Sequence, residues 1–64
     1  MDEYELVIDN GETEERKYLG AISLDEARAA FRTERKRFDR GEIYSVTLNR
    51  VRFGPPFLID RARP

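Results

Sequence analysis

The sequence contains no cysteine, no histidine and no tryptophan, and its longest apolar runs, such as Leu6 to Ile8 and Phe57 to Ile59, are three residues long. Each absence removes a class of proteins. Without cysteine there is no disulfide, and without cysteine or histidine the usual ligands of zinc, iron and copper are missing, which leaves only carboxylates for a hard cation. The commonest general base and the most reactive nucleophile go with them, so catalysis would rest on carboxylates, Ser, Thr, Tyr or Lys. Apolar runs this short do not cross a bilayer as helices, and the N-terminal MDEYEL has neither the basic nor the apolar region of a signal peptide. The expectation is a cytoplasmic protein that is not an enzyme and holds no metal or cofactor.

Sixty-four residues are read as one domain, residues 1–64, near the lower size at which a single core holds a chain without staples. What the chain has in quantity is charge, and it is segregated. The first fifteen residues carry seven acids and no base, while the remainder carries twelve bases against six acids, leaving a net charge of −1 overall. Such asymmetry bears on partners and on the orientation of encounter rather than on fold. Ten of the twelve bases are arginine, which suits planar, bidentate recognition, although a genome rich in G and C accounts for the same bias.

Five elements can be read in order. Glu3 to Asp9 alternates, with Tyr4, Leu6 and Ile8 on one face and Glu3, Glu5, Val7 and Asp9 on the other, which predicts a half-buried strand. Asn10-Gly11 signals a turn, and the acids that follow predict a hairpin loop longer than two residues and mobile. A second strand is expected from about Arg16 to Ile22, with Tyr18, Leu19, Ala21 and Ile22 leaving its inward face open and Gly20 marking a bulge. SLDEARAAFRTERKRFDRG, Ser23 to Gly41, then reads as an amphipathic helix. Ser23 and Glu26 form a capping box, and Gly41 supplies the left-handed stop. At 100° per residue Leu24, Ala27, Phe31 and Phe38 make the buried stripe, with Ala30 at its margin.

Glu42 to Phe53 is expected to be the longest strand, with Tyr44, Val46 and Leu48 inward. Val51 and Phe53 have the opposite parity, so either a bulge near Asn49 or Arg50 turns them inward or both faces are partly covered. Gly54-Pro55-Pro56 forces a turn, and Phe57 to Ile59 gives a short last strand before a basic tail. The class is α+β, in the order ββαββ. A helical crossover makes strands two and three parallel in direction, and strand one between them gives an antiparallel sheet of order 2-1-3-4. One face carries the helix and the other meets water or a partner, a second copy of the chain included.

Two charged surfaces are candidates for partner binding. Arg28, Arg32, Arg35 and Lys36 form a basic stripe on a helix about 25 Å long, suited to an acidic protein surface or a phosphate backbone. Asp25 and Asp39 share that face, and a solvated stripe explains the same residues. Asp9, Glu12, Glu14 and Glu15, with the acids before them, could mimic a row of phosphates on a basic channel. Charge that protects an edge strand from aggregation explains them equally. DNGETEE lacks the spacing of an EF-hand. Tyr44, Arg50, Arg52 and Phe57 have the composition of a protein-binding hot spot.

The succession YELVID, KYLGAI, SLDEARAAF and YSVTLNRV resembles small, early-expressed bacteriophage accessory proteins, among them anti-CRISPR proteins. In those, two strands, a Ser-Leu-x-Glu-Ala helix start, here Ser23, Leu24, Glu26 and Ala27, and further strands make a sheet with one helix. The resemblance implies a non-catalytic inhibitor, cytoplasmic in a bacterial host, that docks on a CRISPR effector complex and blocks target DNA binding or nuclease recruitment. It carries no binding residue onto a position of this chain. The alternative is a small nucleic-acid-binding or regulatory protein that uses the basic helix face.

Overall fold

The computed structural model describes residues 1–52 and 54–64. Strands β1 (Glu3–Asp9) and β2 (Glu14–Ala21) precede helix α1 (Leu24–Asp39), and strands β3 (Ser45–Val51) and β4 (Phe57–Ala62) follow it. The sheet runs β2-β1-β3-β4 with every neighbouring pair antiparallel, which is the expected α+β arrangement.

Both helix ends are set locally. Ser23 Oγ accepts from Glu26 N at 3.1 Å, and its hydroxyl donates to the Glu26 carboxylate, so the box closes through the hydroxyl rather than through the Ser23 backbone N–H. At the other end Glu42 N donates to Arg37 O and Gly41 N to Phe38 O, both at 2.9 Å, with Gly41 at φ +76°. These two bonds are the Schellman pair that satisfies the last carbonyls. Between the ends, Ala27 and Phe31 are buried against Tyr4, Leu6, Ile8, Val46 and Leu48, and Phe38 and Ala30 are half-buried beside them. Leu24, expected in the stripe, is 39% exposed in the first helical turn.

The expected bulge in the third strand is absent, because β1 and β3 stay in unbroken register from Glu3↔Val51 to Asp9↔Ser45. Val51 therefore falls opposite Glu3, on the face away from the helix. Phe53 lies outside the described residues. The register shifts sit instead in the two outer strands, where Leu19 is the extra residue of β2 and Ile59 that of β4. Each shift resolves a parity conflict. Leu19 and Ile22 are three apart, as are Ile59 and Ala62, yet all four pack on the core. Gly20 at φ +85° supplies the left-handed conformation the first of these bulges needs.

The bounds of three strands also differ from expectation, and β2, at eight residues, is longer than β3 at seven. β2 starts at Glu14, which leaves a four-residue loop, Asn10 to Thr13. β3 starts only at Ser45, and Ile43, 5% exposed, takes the buried place expected of Tyr44, which is 54% exposed. The cause is the turn out of the helix, which brings Tyr44 N to Asp9 O at 2.7 Å before the ladder begins. β4 continues through the basic tail to Ala62, buried opposite Val46.

Candidate docking surfaces

The five bases of α1 and Arg40 at its C-cap divide into two groups. Arg37 reaches Glu34 at 2.9 Å and Glu42 at 3.7 Å, and Arg40 is held by Glu42, so these two are neutralised within the chain. Arg28, Arg32, Arg35 and Lys36 are exposed, and among the described residues they make no ion pair or side-chain hydrogen bond. The Arg40 hydrogen bond holds the Glu42 carboxyl below its usual value, and the same contact raises Arg40.

The acidic hairpin is closed by hydrogen bonds from its own side chains. Asn10 Oδ1 accepts from Glu12 N and Thr13 N, both at 2.9 Å, while Asp9 Oδ1 accepts from Gly11 N at 2.7 Å. Asn10 N donates to Thr13 O at 3.1 Å, and its side-chain amide to Thr13 Oγ1 at 3.2 Å. These side chains replace the turn's missing backbone partners. The four candidate acids diverge. Glu12 is at the tip, Asp9 and Glu14 are paired on the uncovered face, and Glu15 pairs with Ile8 on the helix side. The Tyr44–Asp9 bond puts this loop at the same end of the sheet as the helix C-terminus.

The uncovered face was not singled out by sequence, and its centre is buried. Val7, Thr47 and Asn49 are 7%, 8% and 9% exposed although no helix covers them. One rung runs Arg16, Val7, Thr47, Arg61 and the next Tyr18, Glu5, Asn49, Leu58. Long side chains from the outer strands reach inward along these rungs. Glu5 accepts from Arg16 at 2.8 Å and from Asn49 Nδ2 at 2.9 Å, and Arg61 Nε donates to Thr47 Oγ1 at 3.2 Å. Tyr18 donates to Glu3, and that hydrogen bond raises the phenol's pKa because ionisation would place it against a carboxylate. Residue type and strand order do not find the Glu5–Asn49 pair, because β1 and β3 are connected through β2 and the helix and no turn sets their register.

The four residues with hot-spot composition separate. Arg50, Arg52 and Phe57 gather with Asp2 and Pro55 around a concavity of about 480 Å³. Tyr44 lies at the other end of the sheet, beside Ser45, Arg61 and Arg63. Among the described residues no group of three or more carboxylates is placed to hold a metal ion, and no helix is long and apolar enough to cross a membrane. No protein-family model, no curated protein and no solved structure matches this chain.

Proposed function

We propose that the chain is a non-catalytic binding module, phage-encoded, that docks on a bacterial CRISPR effector complex and inhibits it by blocking target DNA binding or nuclease recruitment. The observation that carries the docking half is the division of charge on α1. Arg37 and Arg40 pair with carboxylates of the chain, whereas among the described residues Arg28, Arg32, Arg35 and Lys36, on one stripe, do not. Exposed guanidiniums with no intramolecular carboxylate keep their full capacity for bidentate contact with a partner's acids. The choice of a CRISPR effector as target, and of inhibition as outcome, rests on the resemblance to phage accessory proteins alone.

Charge reversal tests the reading. A triple variant Arg28→Glu, Arg32→Glu, Arg35→Glu changes no buried residue and should fold, which far-UV circular dichroism checks. In a target-DNA cleavage assay its inhibitory potency is expected to fall by about 10- to 100-fold, the effect of removing one to three kcal/mol of interface electrostatics. A companion variant, Glu12→Lys, Glu14→Lys, Glu15→Lys, asks the same of the hairpin. Undiminished inhibition by both variants overturns the proposed contacts.

The same unpaired stripe supports a second reading, direct contact with a nucleic-acid backbone. Asp25 and Asp39 on that face oppose it. Binding to duplex or single strand that weakens steeply with salt would favour it; no binding at low salt removes it.

A further inference from the structure

We infer that the concavity between Glu14 of β2 and Arg61 and Arg63 at the β4 edge, on the uncovered face of the sheet, is a binding site for a small phosphorylated sugar. The phosphate sits on the two guanidiniums, and the sugar hydroxyls face Glu14. The inference does not rest on the docking reading, and its readout is small-molecule binding rather than inhibition.

Register places these groups together. Thr47 is opposite Arg61 across β3 and β4, while Glu14, Asp9 and Ser45 follow one another along the next rung. Arg63 comes directly after Ala62, the last residue of β4. With Tyr44 beside Ser45 they line a concavity of about 310 Å³, at the small end of ligand sites, which suits one sugar and its phosphate.

Arg61 is oriented by a neutral partner. Its Nε donates to Thr47 Oγ1 at 3.2 Å, and Thr47 is 8% exposed, so the guanidinium is held while the fork of its two Nη groups meets no carboxylate among the described residues. Arg63, among the same residues, makes no ion pair either. A hydroxyl that accepts a hydrogen bond keeps its own hydrogen to donate, so Thr47 and Ser45 add donors to the floor. Guanidinium forks and hydroxyls, all donating, match a group that only accepts, and a phosphate ester presents three such oxygens.

Glu14 determines what the phosphate carries. Its carboxylate lines the same concavity and, among the described residues, pairs with neither guanidinium. An ionised carboxylate only accepts, so it repels a bare anion and calls for donors on the ligand's other end. Asp9, the second acid of that rung, is engaged with Gly11 N at 2.7 Å. The Tyr44 ring, 54% exposed, gives the site a flat apolar side with a polar tip, which suits a ring carrying hydroxyls better than a flexible ammonium chain.

Titrations of the whole chain followed by NMR, reading the Arg61 Nε–H and the Ser45 and Arg63 amides, use four probes: ribose 5-phosphate, inorganic phosphate, ribose and O-phosphoethanolamine. Ribose 5-phosphate is expected to shift these signals saturably and to bind about ten-fold more tightly than phosphate or ribose. Glu14 and Arg63 are exposed, so variants at both should fold, which far-UV circular dichroism checks. Arg63→Gln should weaken ribose 5-phosphate and phosphate alike by about ten-fold. Glu14→Ala should separate them, weakening ribose 5-phosphate by about five-fold or more while phosphate, relieved of a like charge, binds at least as well as before. Saturation that bypasses these signals, or no saturable binding of ribose 5-phosphate below about 10 mM, overturns the inference. So does equal or tighter binding of phosphate or O-phosphoethanolamine, or a Glu14→Ala variant that keeps the wild-type preference.

Discussion

Replacing Glu5 probes whether the uncovered face of the sheet is held together by the carboxylate at its centre. Glu5 accepts from Arg16 at 2.8 Å and from Asn49 at 2.9 Å. The two bonds differ in worth. Arg16 has a side chain 58% exposed, so water takes over when its partner is lost, and this part of the cost should stay below about 1 kcal/mol. Asn49 is only 9% exposed, and an amide left without its acceptor there costs about 1–3 kcal/mol. Glu5→Leu should therefore destabilise by about 2 kcal/mol in total, or roughly 8–16 °C in a domain of this size. Glu5→Gln keeps an acceptor oxygen for Asn49 and should cost less than about 1 kcal/mol. The decisive variant is Glu5→Leu with Asn49→Leu, which removes both partners together and should recover most of the loss. Thermal and urea unfolding followed by far-UV circular dichroism give the cycle. The reasoning fails if Glu5→Leu costs under about 0.5 kcal/mol, or if the double variant loses the sum of the singles.

Two further predictions concern stability. Phe31, 2% exposed and the largest fully buried side chain among the described residues, should lose about 3–5 kcal/mol on substitution by Ala. That equals much of the total expected at 0.05–0.15 kcal/mol per residue, so circular dichroism should report a largely unfolded chain, whereas Phe38→Ala, at a half-buried site, should stay folded. pH dependence should show Glu42 and Tyr18 at opposite ends. Glu42 is lowered by Arg40, so its contribution is present above its ordinary value of 4.5 and lost as pH falls through the lowered one. Tyr18 is raised by Glu3, so its contribution is present below 10.0 and lost as pH rises through the raised value. Glu42→Gln should flatten only the acid limb of a midpoint-against-pH curve and Tyr18→Phe only the alkaline limb.

Most of the fold was legible because its signals are local. Ser23, Glu26 and Gly41 set the helix without help from the rest of the chain, and the alternation of Tyr4, Leu6 and Ile8 assigned the inner face of β1. Strand order followed from connectivity. What sequence could not place was register. The parity of Val51 allows either a bulge near Asn49 or Arg50 or two partly covered faces, and the choice depends on β1, whose regular pairing holds β3 straight and leaves Val51 on the face away from the helix. Tyr44 was misassigned because Ile43 competes for the same buried position once the chain leaves the helix. Of the candidate site, the basic stripe was visible as helical periodicity, but which bases remain unpaired depends on Glu34 and Glu42, whose reach only the folded chain reveals. The Arg50–Phe57 contact was foreshadowed by composition, while its separation from Tyr44 was not.

The paired irregularities at Leu19 and Ile59 have a consequence for how the chain behaves in company. Each outer strand of the sheet is interrupted by one extra residue, so neither offers a long, flat rim of backbone donors and acceptors. An incoming strand could match β2 only over Glu14 to Tyr18, where all five side chains are exposed and four of them are charged. Past that point the added local twist turns the rim away. The devices that bring Leu19, Ile22, Ile59 and Ala62 onto one small core thus also keep the sheet at four strands. The residues that complete the core therefore also leave a second copy little straight rim to extend.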